Sequence, residues 1–314
     1  MMNLYNMSEE PLMKKPWPIF YALLAAVLYA LSAPIAKLFL NNLSPTFIAS
    51  LLYLGAGFGM FIIKLFSRRT SAIPLIRFGK KDIIPIIGMI ILDVLAPILL
   101  LIGLKTTSAE DASLLNNFEI VATSLFAFFV FKEAIKKRVW FALIIITIAS
   151  VILSLESIAS FSFSFGAIFI LLAATCWGLE NNFTRMLSAK DTALVVIIKG
   201  LAAGGIALII TFFLGEVTLD IRMIVLTLLL GFVAYGLSIY FYVRAQKDLG
   251  AAKTSAYYAI TPFIGVILSF IIFQELPRSQ FYLGLVLMIV GIYLTSMILP
   301  KDEKITSSPI TKVE

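Results

Sequence analysis

The chain has 314 residues, of which 61% are apolar and only 14% charged, and its mean hydropathy is +1.01. A soluble domain is about 25% charged and roughly 45–50% apolar, so a water-soluble globule is excluded. There is no histidine, which excludes histidine triads, histidine acid–base chemistry and histidine metal sites, and the single cysteine, Cys176, leaves no internal disulfide.

The apolar residues fall into ten runs near the 20 residues that cross about 30 Å of hydrocarbon. In order they are Trp17–Leu40, Thr46–Phe66, Ile83–Leu104, Ala112–Phe131, Val139–Leu155, Phe165–Leu187, Ala193–Leu214, Met223–Val243, Ser255–Phe273 and Phe281–Leu299. The first follows Lys14 and Lys15, as a secretory signal would. It exceeds the about 7–15 residues of a signal core and no small-residue cleavage pattern follows, so it is read as a span. Between the runs, 67–82 is a basic loop and 160–165 a short uncharged turn. Residues 1–16 form an N-terminal segment, and 301–314 have the composition of a disordered tail.

Orientation follows from the basic residues. With the amino terminus in the cytoplasm, 20 of the 25 lysines and arginines fall in cytoplasmic connections. Lys37, Lys105, Arg222 and Arg278 fall in outer ones, and Lys199 lies inside a run. Both termini are therefore expected in the cytoplasm. The net charge of +7 reflects this topology rather than nucleic-acid binding.

The stretch Ala109–Glu133 is echoed by Ala251–Glu275 at a constant spacing of 142 residues. The copies share Ala109/Ala251, Ser113/Ser255, Phe128/Phe270, Phe131/Phe273 and Glu133/Glu275, and a break and another apolar run follow each. Duplication in a hydrophobic chain marks a transporter built from two repeats. Five spans per repeat is an odd number, so the second copy is inverted. The expected fold is an all-α membrane protein of ten transmembrane helices in two inverted-topology five-helix repeats, 17–158 and 159–300, forming one domain.

Charged groups at mid-bilayer cost about 2.5–3.5 kcal/mol on insertion scales and normally face the bundle interior. Asp93 and Glu119 lie near the middle of the third and fourth runs, and Glu180 and Lys199 in the inner halves of the sixth and seventh. Asn116 and Thr123 stack with Glu119 on one helical face, a setting for binding a proton or a cationic amine; a structural polar clamp is the competing reading. Asp93 precedes Pro97, so it either lines a cavity or bonds backbone freed at a kink. Glu180 and Lys199 each lie about seven residues, or roughly 10 Å, from the turn between their runs, which makes a structural ion pair geometrically cheap. Trp177, Asn181, Tyr235 and Tyr258 could complete a pocket, whereas Trp17 and Tyr242 sit where interfacial anchors belong.

Trp177, Gly178, Asn182 and Arg185 form a pattern whose first-half counterpart is Tyr29, Ala30, Pro34 and Lys37, at a spacing of 148. With Pro262 in the ninth run, where the fourth has Glu119–Ile120, and with the FKE and FQE breaks, the chain resembles the EamA branch of the drug/metabolite transporter superfamily. The resemblance spans about residues 17 to 300. It implies a central cavity lined by the first, third, fourth, sixth, eighth and ninth spans. Asp93, Glu119, Trp177, Glu180, Tyr235 and Tyr258 fall on those spans, and Lys199 does not.

The expected protein is not an enzyme but a secondary transporter. It would export a small polar or amphipathic metabolite, such as an amino acid or related compound, by alternating access. The expected substrate-binding residues are Glu119, Asn116, Asp93, Trp177, Glu180, Asn181, Tyr235 and Tyr258, with Glu119 and Asp93 as candidates for proton coupling. The alternatives are a non-transporting membrane scaffold or receptor, and a nucleotide-sugar or triose-phosphate exchanger. No ATP-binding loop, cofactor motif or metal-ligand cluster is legible. The expected partners are a small-molecule substrate and the lipid bilayer of the plasma membrane, with no nucleic acid, the protein being a monomer or homodimer.

Overall fold

The computed structural model describes residues 17–66, 78–132, 135, 137–157, 162–187, 190–249, 254 and 257–296. Lys14 and Lys15, the loop residues Arg68, Arg69 and Arg77, the echo residues Glu133, Ala251 and Ser255, the expected 158/159 boundary and the tail lie outside the described residues.

Hydrocarbon offers no partners for backbone N–H and C=O groups, so the apolar runs satisfy them internally as helices. In chain order these are α1 (Trp17–Ala30), α2 (Ser32–Phe39), α3 (Pro45–Phe66), α4 (Ile83–Leu104), α5 (Ala109–Leu115), α6 (Phe118–Phe129) and α7 (Lys137–Ser154). They continue as α8 (Phe165–Met186), α9 (Thr192–Phe213), α10 (Ile221–Leu230), a π-helical segment (Gly231–Leu237), α11 (Ser238–Leu249), α12 (Thr261–Phe273) and α13 (Ser279–Ser296). Among the described residues, seven helical stretches are long and apolar enough to cross a membrane, and two shorter ones are apolar. Ten such helices were expected. α8 has the length but is not among the seven, because Glu180, Asn181 and Asn182 dilute its hydropathy.

Four expected spans are not single α-helices, and each departure has a local cause. The first breaks at Leu31, where Pro34 crowds the carbonyl of Ala30. The fourth breaks at Asn116–Asn117, where the bonds tighten to i→i−3: Glu119 N–H donates to Asn116 O at 3.0 Å and Ile120 N–H to Asn117 O at 2.9 Å. Asn116 and Glu119 therefore do not share one continuous helix. The eighth passes through the π-helical segment. In the ninth, Thr254, Tyr257 and Tyr258 are helical, a turn follows at Ala259–Ile260, and α12 begins at Thr261 with Pro262 in its first turn. Pro97, by contrast, leaves α4 unbroken. The joint expected as a plain turn contains a short antiparallel pair, β1 (Leu155–Ser157) with β2 (Ser162–Phe163).

The echo reappears in the backbone. Lys132 (φ 58°) and Gln274 (φ 54°) are the two non-glycine residues in the left-handed region among those described. They lie 142 positions apart, each just before the echoed glutamate; Gln274 caps α12 as glycine usually does, and Lys132 follows Val130, the cap of α6, by two residues.

α3 is the hub of the bundle: 67% of its most apolar window is buried, against 39–44% in the other six stretches. It packs along α9, while α4 packs along α8, α1 along α11 and α7 along α13. The α3–α9 contact is backbone against backbone, since a Cβ on Gly200 would stand 2.6 Å from Gly57 Cα. Small residues at such crossings let helices gain dispersion contact where lipid gives no hydrophobic drive. Outward faces carry large apolar side chains such as Ile84, Phe212 and Phe213, left exposed by the protein and suited to lipid.

Candidate functional site

Lys199 on α9 occupies the middle of the bundle between two carboxylates from different helices. Its Nζ lies 3.2 Å from Asp93 Oδ2 on α4 and 3.1 Å from Glu180 Oε1 on α8. All three are buried, at 8%, 1% and 3% exposure. The Thr184 hydroxyl, one turn along α8, also donates to Glu180 Oε1. Tyr53 on α3 donates its hydroxyl to Asp93 Oδ1 at 2.7 Å, and Trp177 Nε1 donates to that hydroxyl at 3.4 Å. One connected network thus ties α3, α4, α8 and α9 together.

Glu119 stands beside this network rather than in it. Asn181 Nδ2 donates to Glu119 Oε1 at 2.6 Å and lies 3.4 Å from Thr123 Oγ1. Asn182 donates to the carbonyls of Thr123 (3.1 Å) and Gly178 (2.9 Å), stitching α8 to α6. At that crossing a Cβ on Gly178 would meet Ala122 Cβ at 2.4 Å, which is the local reason for glycine after Trp177. Among the described residues no ion pair involves Glu119.

Tyrosine rings cover the opposite side. Tyr235, carried by the π-helical segment, lies 5.4 Å from Tyr53 and 5.6 Å from Tyr29, centroid to centroid. Tyr29 lies 6.1 Å from Tyr258, which packs on Tyr242 at 5.0 Å. Glu119 is bonded across the bundle by Asn181 of α8, so it faces a neighbouring helix and not lipid, and Tyr29, Tyr235 and Tyr258 lie within range of its charge. The Asn116 amide sits beside the Tyr29 hydroxyl, and its Oδ1 is buried without a hydrogen-bond partner.

The structure therefore draws the expected residues into two adjoining groups: Asp93, Trp177 and Glu180 around Lys199, and Asn116, Asn181, Tyr235 and Tyr258 around Glu119. Two residues central to this geometry were not singled out from sequence as site residues. Tyr53 offered only a lone hydroxyl inside a span, and Tyr29 was visible only as the counterpart of Trp177. Tyr242, read as an interfacial anchor, packs on Tyr258. Lys199, on a span set outside the cavity, lies at the centre.

Further ion pairs link α1–α7 to α8–α13 at the helix ends. Arg278 bonds Asp111 at 2.7 Å at one end, while Lys64 bonds Asp191 at 2.6 Å and Lys190 bonds Asp82 at 2.7 Å at the other. Beside the first lies a cavity of about 450 Å³ lined by Ser108, Glu110, Asp111, Glu275 and Arg278 among others. Burial pushes the Asp191 carboxyl up, but the Lys64 ammonium and the Leu194 and Ala193 backbone N–H groups outweigh it and hold it below the usual carboxylate range. A depressed acid stabilises the fold above its unfolded-state value, near pH 4, and loses that contribution as pH falls through the folded one. Asp191→Asn keeps the helix cap and removes the charge. Wild type should melt above this variant at pH 6, by the equivalent of about 1 kcal/mol or less for a partly exposed pair, and the gap should close below about pH 4.

A family profile described as the EamA-like transporter family matches residues 16–155 and again 164–297. A Methanothermobacter thermautotrophicus protein described as an uncharacterized transporter is 25% identical over 303 residues, covering 91% of this chain and 88% of that protein. A Bacillus subtilis protein described as the uncharacterized transporter YyaM is 25% identical over 207 residues, covering 63% of this chain and 68% of its own length. One crystal structure superposes with a TM-score of 0.65 at 16% identity, covering 91% of this chain and 98% of the other, a likeness of fold.

Proposed function

The chain belongs to the EamA-like transporter family of multi-pass membrane proteins, and on that premise we propose that it is a secondary active exporter. Its cargo is a small polar or amphipathic metabolite, such as an amino acid or related compound. It works by alternating access in the plasma membrane, with both termini cytoplasmic. The ten-helix reading belongs to the proposal: two inverted five-helix halves, 17–158 and 159–300, rocking about the central polar site. Support comes from the partners of each helix, since α3 with α9, α4 with α8, α1 with α11 and α7 with α13 all pair one half with the other.

The observation that carries the reading is the gathering of Asp93, Glu119, Glu180 and Lys199 inside the bundle, where a purely structural membrane protein gains little from burying charge. Three carboxyls against one ammonium also disfavour an anionic cargo such as a nucleotide sugar or triose phosphate. Purified protein in proteoliposomes should show saturable counterflow of at least one compound from a broad metabolite panel. In Glu119→Gln the pH dependence of that compound's affinity should flatten, which tests proton coupling through Glu119 and Asp93. No counterflow and no ligand-induced rise in melting temperature across the panel would sink the transporter reading in favour of a scaffold.

A further inference from the structure

Counting charge at mid-membrane narrows the cargo. Lys199 is the one ammonium there among the described residues, and Asp93 and Glu180 already share it at 3.2 and 3.1 Å. Glu119, among the described residues, has the Asn181 amide on Oε1 and no ion pair, with Tyr29 and Tyr258 near enough to feel its charge. A carboxyl withdrawn from bulk water with no cation beside it either takes up a proton or binds a cation. Glu119 Oε2 and the unpartnered Asn116 Oδ1 are acceptors, the unpartnered Asn117 Nδ2 is a donor, and the faces of tyrosine rings attract cations. Glu119, Tyr29 and Tyr258 are only half-buried, so a ligand has access to them.

From this juxtaposition, and resting on the transporter reading above, we infer that the cargo is a primary monoamine cation with an apolar body, seated between Glu119 and the Tyr29, Tyr235 and Tyr258 rings. Its ammonium supplies the missing counter-charge and donates to Glu119. A zwitterionic amino acid fits less well. Its carboxylate needs a cationic donor, and the nearest, Lys199, is held by two carboxylates of the protein. Such an unpaired charge in a closed site is strongly disfavoured.

Matched compounds test this: phenylethylamine, phenylalanine and phenylpropionate, with isopentylamine, leucine and isocaproate as the aliphatic set. Both amines should raise the melting temperature saturably, with apparent Kd at least about tenfold lower than their amino acids, and the acids should do nothing. Glu119→Gln should weaken amine binding at least about tenfold. Tyr29→Leu should weaken it more than Tyr29→Phe, which keeps a ring face; this pair carries the test if Glu119→Gln does not fold. Equal affinity for amines and amino acids, an unchanged Kd in Glu119→Gln, or no binding of either amine would overturn the inference. Counterflow of phenylalanine or leucine without the amines would overturn it and leave the transporter reading standing. No counterflow of these six or of a broad metabolite panel would overturn both.

Discussion

Lys199→Ala is expected to destabilise the protein by about 3–5 kcal/mol, the usual effect of removing one partner from a buried ion pair. The substitution strands two carboxylates rather than one. Asp93 and Glu180 are 1% and 3% exposed, and Lys199 is the cation both contact. Neutral amides need no counter-ion, so Asp93→Asn together with Glu180→Gln in the Lys199→Ala background should recover a substantial part of the loss. Thermal melting of wild type, Lys199→Ala, the Asp93→Asn/Glu180→Gln variant and the triple variant in one detergent completes a mutant cycle that separates the stranded charge from the lost packing of the lysine stem. A Lys199→Ala protein within about 1 kcal/mol of wild type would show that the network does not hold α4, α8 and α9 together.

Gly200→Leu should be nearly as damaging for a different reason. A Cβ at Gly200 would stand 2.6 Å from Gly57 Cα and N and 2.8 Å from Tyr53 O, all backbone atoms that no rotamer change moves. α3 and α9 must separate, and with them Tyr53 from Asp93 and Lys199 from both its carboxylates. Overpacking ordinarily costs about 1–3 kcal/mol, and a backbone-limited site belongs at the top of that range. Gly205 provides the control on the same helix. A Cβ there meets nothing within 4 Å, so Gly205→Ala should be neutral or stabilise by up to about 1 kcal/mol through helix propensity. Similar melting temperatures for Gly200→Leu and Gly205→Ala would refute the close approach of the two helices.

Several features were legible in the linear order because hydrocarbon leaves few solutions. Long apolar runs must become helices, and so the runs beginning near Thr46, Ile83, Val139, Phe165 and Ala193 match α3, α4, α7, α8 and α9 closely. The 142-residue echo was equally readable, and its backbone consequence is the pair of left-handed residues Lys132 and Gln274. Breaks inside spans were less so. Pro34 and Pro262 give a steric reason for two of them, but Pro97 sits in an unbroken α4, so proline alone does not say where a helix stops.

What the sequence by itself determined is therefore the membrane class, the duplication and the short roll of polar residues that had to face inward, because burying charge in lipid is too costly to be accidental. Which of them meet was decided only by the packed bundle. Periodicity reaches neighbours one turn away, whereas Tyr53 meets Asp93, Asp93 meets Lys199 and Glu119 meets Asn181 through helices brought together by glycine-lined crossings far apart in the chain. Only that arrangement pairs Lys199 with two carboxylates and leaves Glu119 facing the tyrosines without one.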